Sequence, residues 1–422
     1  MGNAPINKGA QKYERFSGRG FARVGDLSHA ETRRGGEFFS RKERKDHKAG
    51  GPTSVSATID RPGWKRVRLG EVCKPCRGVR VIRSQLSQGR YLVYQNSLIP
   101  LGHYDKCNTP ANTTFVIGAG SAGEIGYCDE PFWAADDCFF LLPNENVISK
   151  FLYYSLTAQQ KHISGLVRRG SVPRLARDIV GNLVLTLPDM AEQEKIVRSL
   201  TAIDINISTI QSLVAKYEAI KKATVNLLLK PTGTHMVKLG EVADISRGGS
   251  PRPIQDYITA DIDGINWIKI GDVSVDAKYI KQTEERIKPT GVAMSRQVKA
   301  GDFILSNSMS FGRPYILKID GCIHDGWLAI QNYQNTFDVD YLYYLLGSDM
   351  VFAQYIENAA GSSVKNLNKD IVAKITLPSP PLSEQCKIAE QITAIDNVLA
   401  DYKAQLEKAR QLKAGMMSYF FG

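Results

Sequence analysis

The chain has 422 residues, 43% of them hydrophobic and 23% charged, with a formal net charge of +11. That length exceeds one ordinary core and predicts two or three domains. No run of about 18 apolar residues offers a membrane span and no leader with a cleavage site opens the chain, so the expected compartment is the cytoplasm. The seven cysteines, an odd number, exclude a disulfide scaffold, and the basic balance favours a polyanionic partner.

Residues 1–60 hold 12 Lys/Arg against 7 Asp/Glu without a sustained hydrophobic period. Such a stretch buries too little apolar surface to offset its ordering entropy, and it is expected to be a basic, disordered extension. Its run Arg41-Lys42-Glu43-Arg44-Lys45-Asp46-His47-Lys48 reads as a solvated charge cluster, with phosphate contact as the alternative. Residues 61–187 form a first mixed α/β domain. Short β-branched and aromatic runs (Tyr91-Leu92-Val93-Tyr94, Thr113-Thr114-Phe115-Val116-Ile117, Cys138-Phe139-Phe140-Leu141-Leu142) alternate there with turn residues, and a helix is predicted over 149–166. Residues 188–232 follow as a long helix. Residues 233–377 repeat the first pattern with Ile265-Asn266-Trp267-Ile268-Lys269-Ile270, Phe303-Ile304-Leu305 and a helix over 339–357. Residues 378–422 form a second long helix.

The chain is written twice. Leu69-Gly70-Glu71-Val72 returns as Leu239-Gly240-Glu241-Val242, and Phe151-Leu152-Tyr153-Tyr154 as Tyr341-Leu342-Tyr343-Tyr344. Asp178-Ile179-Val180 returns as Asp370-Ile371-Val372, and Thr201-Ala202-Ile203-Asp204 as Thr393-Ala394-Ile395-Asp396. Between these blocks the copies barely resemble each other, so one scaffold is expected to present two different recognition surfaces. In the long helices Ile196, Leu200, Ile203, Ile207, Ile210, Val214 and Tyr217 alternate in steps of four and three. Ile388, Ile392, Ile395, Leu399, Tyr402, Leu406 and Ala409 do the same in identical register. Each is a coiled-coil seam needing a partner, and the simplest partner is the other copy. An antiparallel pair would hold the inserts at opposite ends of a rod about 57 Å long. Separate amphipathic helices on two cores are the plainer alternative.

Motifs for chemistry are weak. Gly118-Ala119-Gly120-Ser121-Ala122-Gly123 matches a dinucleotide-binding fingerprint, but Gly126 and Pro131 follow too soon for the required helix, and a tight turn between strands is preferred. Cys73-Lys74-Pro75-Cys76 has metal-ligand spacing, yet Ala243 and Ser246 fill the same slots in copy two. The six histidines belong to no nucleophile–base set. No catalytic residue, metal ligand or cofactor of this chain's own is assigned. Polar, glycine-rich loops remain: Arg77 and Arg80, Gln95 and Asn96, and Arg168, Arg169, Ser171 and Arg174 in copy one. Copy two offers Arg247, Ser250 and Arg252, then Asn307, Ser308, Ser310 and Arg313, then Lys365 and Asn366. Arg can fork onto guanine, Asn and Gln pair with adenine, and Ser or backbone amides hold phosphates. Each loop alone could be a mere turn; together they favour a DNA-binding role.

Leu377-Pro378-Ser379-Pro380-Pro381-Leu382-Ser383-Glu384-Gln385 leads into the second helix and Leu187-Pro188…Glu192-Gln193 into the first, with Asp189-Met190-Ala191 replacing the proline pair. With the two Leu-Gly-Glu-Val openings and the loops Arg247-Gly248-Gly249-Ser250-Pro251 and Asn307-Ser308-Met309-Ser310-Phe311-Gly312-Arg313, residues 64–422 resemble the specificity subunits of type I restriction–modification systems. The resemblance implies an α+β chain. Two mixed α/β target-recognition domains would be separated by two long antiparallel coiled-coil helices with an internal pseudo-two-fold repeat. It implies a non-catalytic reader of a bipartite, asymmetric site in double-stranded DNA, with the helices setting the gap. It also implies two methyltransferase subunits and endonuclease–translocase subunits as partners, which would use S-adenosylmethionine, ATP and Mg²⁺. A nucleotide-binding enzyme built on residues 118–123 and a coiled-coil adaptor that binds no DNA are the alternatives.

Overall fold

The computed structural model describes residues 61–230, 235–274, 277–307, 312–359 and 367–422; the basic segment 1–60 lies outside them. Each insert leaves and rejoins the scaffold at one place. Strand Lys65–Arg68 pairs antiparallel with Val184–Leu187, and Met236–Lys238 with Thr376–Pro378. The Leu-Gly-Glu-Val repeat forms a single helical turn after each opening strand, Leu69–Val72 and Leu239–Val242. Leu69 and Leu239 are fully buried, and their amides donate to the carbonyls of Leu183 and Ile375 at 2.8 and 3.0 Å. The repeated sequence is thus the clasp that closes each insert.

The divergent inserts share a sheet plan. Copy one has four antiparallel strands in the order Cys73–Arg77, Cys138–Pro143, Thr113–Ile117, Ile125–Cys128. Copy two places Asp244–Arg247, Trp327–Gln331, Phe303–Ser306 and Pro314–Leu317 in the same order and adds Tyr279–Ile280 in parallel at one edge. A second sheet follows in each. Tyr91–Tyr94 lies between antiparallel Gly102–Tyr104 and parallel Trp133–Ala134. Ile265–Ile268 lies likewise between Glu285–Ile287 and Gly321–Ile323, with Ile258–Thr259 and Arg296–Val298 added outside. Thr113–Ile117, Phe303–Ser306 and Pro314–Leu317 are buried along their whole length, so their apolar residues stand in succession rather than alternating with exposed polar ones.

The single helices expected over 149–166 and 339–357 are each two. In copy one they are Ser149–Ala158 and Gln160–Gly165, with Gln159 at φ −90°, ψ 9°. In copy two Val339–Leu346 stops at Gly347 and Asp349–Ala359 restarts after Ser348. The Ser348 hydroxyl donates to the Leu345 carbonyl at 2.6 Å and accepts from the Val351 amide at 3.3 Å, giving the break its own hydrogen bonds.

The long helices are Met190–Leu228, capped by Asp189 accepting from the Glu192 amide at 2.8 Å, and Leu382–Phe421. They run antiparallel, because the late part of each meets the early part of the other. Lys221 pairs with Asp396 at 2.6 Å, Lys413 with Asp204 at 2.5 Å and Lys403 with Glu218 at 2.9 Å, and the Tyr217 and Tyr402 rings lie 5.5 Å apart. Of the seam residues, Ile196, Leu200, Ile203, Ile210, Ile392, Leu399 and Leu406 are buried, while Ile207, Val214, Ile388, Ile395 and Tyr402 are half-buried. The seam is not a helix–helix stripe alone. Ile196, Leu200 and Ile203 share one core with Phe151 and Tyr154 of the first domain and with the late residues Leu406 and Ala409. Ile392 and Ala389 share another with Leu229 and the second domain. The inserts therefore sit at opposite ends of the helix pair.

The Glu-Gln motif has a direct physical reading. Gln193 and Gln385 are fully buried. Gln193 Nε2 donates to the Asn146 and Pro188 carbonyls at 3.0 and 3.1 Å, and its Oε1 accepts from the Ile148 amide at 3.0 Å. Gln385 repeats this with Thr336 and Pro380 at 2.8 Å each and Asp338 at 2.9 Å. An amide side chain that both donates twice and accepts once fixes each long helix to its insert.

Candidate nucleic-acid interface

In copy one, residues 118–123 form a turn between strands. The Ile117 amide donates to Glu124 O at 2.9 Å and the Gly123 amide to Ile117 O at 2.7 Å, with Gly120 and Gly123 at φ +82° and +86°. Strand Ile125–Cys128 follows directly. With no helix starting there, no helix N-terminus meets a pyrophosphate, and the nucleotide-binding alternative fails. The turn instead gathers the other candidate loops. The Ser121 amide donates to Asn96 O at 2.9 Å, Gly120 to Pro173 O at 3.1 Å, and Leu175 to Gly118 O at 2.8 Å. Arg168 and Arg174 exchange backbone hydrogen bonds of 2.8 and 3.1 Å, closing the loop that carries Arg169 and Ser171. Arg168, Arg169, Ser171, Arg174 and Asn96 are exposed and Gln95 is half-buried.

Arg77 joins the same region from the end of strand Cys73–Arg77. Its Nε donates to the Asp136 carbonyl at 2.9 Å, while the Gly118 amide donates to the neighbouring Asp137 carbonyl at 2.6 Å. Arg80, exposed, lies just beyond. Cys73 and Cys76 are on this strand too, three residues apart and so on opposite faces, which excludes their joint ligation of a metal ion. Burial above all, and then Cys76, pushes the Cys73 thiol up to about 12.

In copy two, Asp325 is the hub. Its carbonyl accepts from Arg247 Nε at 3.2 Å and Asn307 Nδ2 at 3.0 Å. Its carboxylate accepts from the Ser250 hydroxyl at 3.1 Å and pairs with Arg252 at 3.3 Å and His324 Nε2 at 2.9 Å. Four of the sequence candidates, Arg247, Ser250, Arg252 and Asn307, thus meet on one residue. Beside them is a pocket of about 490 Å³, lined by Arg247, Arg296, Asn307, Asn368 and Lys369 among others. Arg313 is not part of the hub. It is half-buried, and its charge partly counters the burial and the Asp396 charge that push the Tyr343 hydroxyl up to about 12. Ser308, Ser310, Lys365 and Asn366 lie outside the described residues.

Sequence reading missed Asp136, Asp325, Arg296, His324 and Lys369. An acid at the centre of a cluster of basic side chains is counter-intuitive, and a carbonyl acceptor leaves no mark on residue type. One signal existed: Asp136 and Asp325 each stand two residues before a strand shared by both copies, Cys138–Pro143 and Trp327–Gln331.

The fold and these surfaces define a tandem recognition protein, with two domains of one plan and different loops at the ends of an antiparallel helix pair. The chain belongs to the type I restriction–modification DNA-specificity family; the family model described as Type I restriction modification DNA specificity domain matches it twice, over residues 62–219 and 231–409. A specificity subunit of this class is the recognition rather than the catalytic part of its system. The chain is 23% identical over 393 residues to the type I restriction enzyme MjaVIII specificity subunit of Methanocaldococcus jannaschii, covering 82% of this chain and 90% of that one. It is 21% identical over 368 residues to the EcoDI specificity subunit of Escherichia coli, covering 78% and 80%. Its fold is similar to the crystal structure of the S subunit from M. genitalium, with TM-score 0.64, 17% identity and coverage of 87% and 98%. It is also similar to a chain solved in work on assembly and conformational transition of the type I system, with TM-score 0.52, 19% identity and coverage of 88% and 99%. Among the described residues no helix is long and apolar enough to cross a membrane.

Proposed function

We propose that this chain is the DNA-reading specificity subunit of a cytoplasmic type I restriction–modification complex. Residues 61–187 and 233–377 are its two target-recognition domains, each reading one half of a bipartite, asymmetric site. The helices within 188–232 and 378–422 set the gap and dock two methyltransferase subunits, to which endonuclease–translocase subunits add. The observation that carries this reading is the pairing of one sheet plan with two unlike loop sets at opposite ends of one antiparallel helix pair. Unlike loops favour an asymmetric target; a fixed helix register favours a fixed gap. The DNA-facing candidates are Arg77, Arg80, Asn96, Arg168, Arg169 and Arg174 in the first domain, and Arg247, Ser250, Arg252 and Asn307 in the second.

The test is co-expression with the methyltransferase subunit encoded beside it in a host free of DNA methylation, followed by genome-wide mapping of modified adenines. One split, non-palindromic motif with a single gap length is expected. A palindromic motif would refute asymmetric reading, and no methylation from an assembled, competent complex would refute the role itself.

A further inference from the structure

Two readers that recognise different sequences are expected to differ where they meet bases and to agree where they meet what every half-site shares. The structure holds one such agreement outside the clasp and the helices. In copy one, Arg77 ends its strand, Gly78 follows, and the Gly78 amide donates to Cys138 O at 3.0 Å. In copy two, Arg247 ends the matching strand, Gly248 follows, and its amide donates to Trp327 O at 2.9 Å. A Cβ at either glycine would stand 2.1 Å from a carbonyl oxygen, of Ala135 in one copy and His324 in the other. Glycine is what permits this approach, and the approach delivers the next carbonyl, of Asp136 or Asp325, to the Arg Nε. Past this hook the copies part. Arg80 and Ile82 stand where Ser250 and Arg252 do, and the latter two bind the Asp325 carboxylate.

We propose that Arg77 and Arg247 are equivalent phosphate anchors, pre-set by their glycine hooks to grip the DNA backbone of the two half-sites without reading sequence. This rests on the reading of the chain as a DNA-specificity subunit and goes beyond it by dividing anchors from readers. The tether uses one of a guanidinium's five N–H groups. The Nη atoms of both exposed residues make no hydrogen bond to the described residues. A planar fork held at one corner suits bidentate binding of a phosphate. In copy two a second cation lies beside the hook, and the repeat sets a cation at the corresponding position of copy one. Lys369 lines the pocket beside Arg247, and Arg177, its counterpart in the repeat, opens the matching helix Arg177–Gly181. A residue that read a base would have no reason to keep the same position and tether in two domains whose adjoining loops differ.

The test uses the full chain in complex with its methyltransferase subunit, carrying Arg77→Gln, Arg247→Gln or both. Glutamine removes the charge while keeping an amide donor for the Asp carbonyl, so the strand end is preserved; the alanine variants serve as a second series. Each single variant is expected to weaken binding to cognate and to unrelated duplex by the same factor, about tenfold to a hundredfold. The slope of log affinity against log salt should flatten by about 0.9 per residue, and by about 1.8 in the double variant. The methylated motif should be unchanged. Relaxation of the motif at one base pair would overturn the proposal in favour of base reading. Unchanged affinity and slope would overturn it in favour of a purely structural tie. A wild-type complex with no preference for any duplex would instead bring down the functional reading, and this inference with it.

Discussion

Alanine at Asp204 should loosen the first domain from the helix pair by about 2–3 kcal/mol, and the parts of that figure can be separated. Asp204 accepts from the Tyr154 hydroxyl at 2.8 Å and pairs with Lys413 of the opposite helix at 2.5 Å. It therefore joins three elements: the insert, its own helix and the partner helix. A hydrogen bond to a charged group contributes about 1.5–3 kcal/mol. The ion pair, with side chains 28% and 32% exposed, contributes at most about 1 kcal/mol after solvent screening. Alanine's helix propensity returns about 0.5 kcal/mol, and Thr201, 3.3 Å from the Tyr154 hydroxyl, remains as a partial partner. Asp204→Asn keeps an acceptor for Tyr154 but loses the ion pair, so it should cost only about 1 kcal/mol. The equivalent Asp396, bound by Tyr344 at 2.8 Å and Lys221 at 2.6 Å, should behave alike, and the two losses should add within about 0.5 kcal/mol. Because a multi-core chain need not unfold in one step, the assay is native-state hydrogen exchange of amides in Ser149–Ala158 and the last turns of Leu382–Phe421. Equal effects of Asp204→Asn and Asp204→Ala would refute the hydrogen bond as the main contribution. No effect of either would refute the clamp.

Gln385→Ala removes three hydrogen bonds at a fully buried position and orphans the Asp338 amide. It should cost about 2–4 kcal/mol, read as lost exchange protection at Asp338; retained protection would show that the amide has another acceptor. Burial pushes the hydroxyls of Tyr94 and Tyr341 up to about 12, and those of Tyr154, Tyr333 and Tyr344 upward from 10.0 as well. The folded chain holds these protons while the unfolded chain releases them, so their contribution to stability is intact below pH 10 and declines as pH rises toward 12. Thermal unfolding should set in at lower temperature over that window, in step with tyrosinate absorbance, and a level profile would contradict the burial. Exposed Cys107 should react with a thiol reagent in the native chain, whereas Cys138, buried with its pKa raised by desolvation, should react only on unfolding. Native reactivity of Cys138 would mean that the first core opens locally.

The helices were legible because their signal is local. A four–three alternation is visible in one stretch of chain, and matching registers point each seam at the other. The clasp, the Gln plug and the Tyr–Asp pairs were legible as repetition before they had a physical meaning. The sheet order was not, because strands such as Cys73–Arg77 and Cys138–Pro143 pair across more than sixty residues, and nothing in either strand names its partner. The glycine-rich turn was read rightly as a turn on helix-forming grounds alone. The break at Gly347-Ser348 carried a glycine signal that a long apolar pattern outweighed; the break at Gln159 carried none.

The site was legible only as a set of loops, and the reason lies in where the copies diverge. The hook in copy two follows that in copy one by 170 positions, while the strands holding Trp327 and Cys138 are 189 apart. Copy two therefore spends 19 more residues between the hook and the carbonyl that receives it. The strands it adds, Ile258–Thr259, Tyr279–Ile280 and Arg296–Val298, all fall in that interval and all sit at sheet edges. Growth at an edge leaves the central strand order untouched, so the Arg–Gly hook and its carbonyl are rebuilt despite the longer path. A scaffold of this kind can vary its loops widely while the groups proposed to seat it on DNA stay in place. Loop composition alone could therefore suggest that the surface binds, but only the paired geometry separates the residues that would hold the duplex from those that would read it.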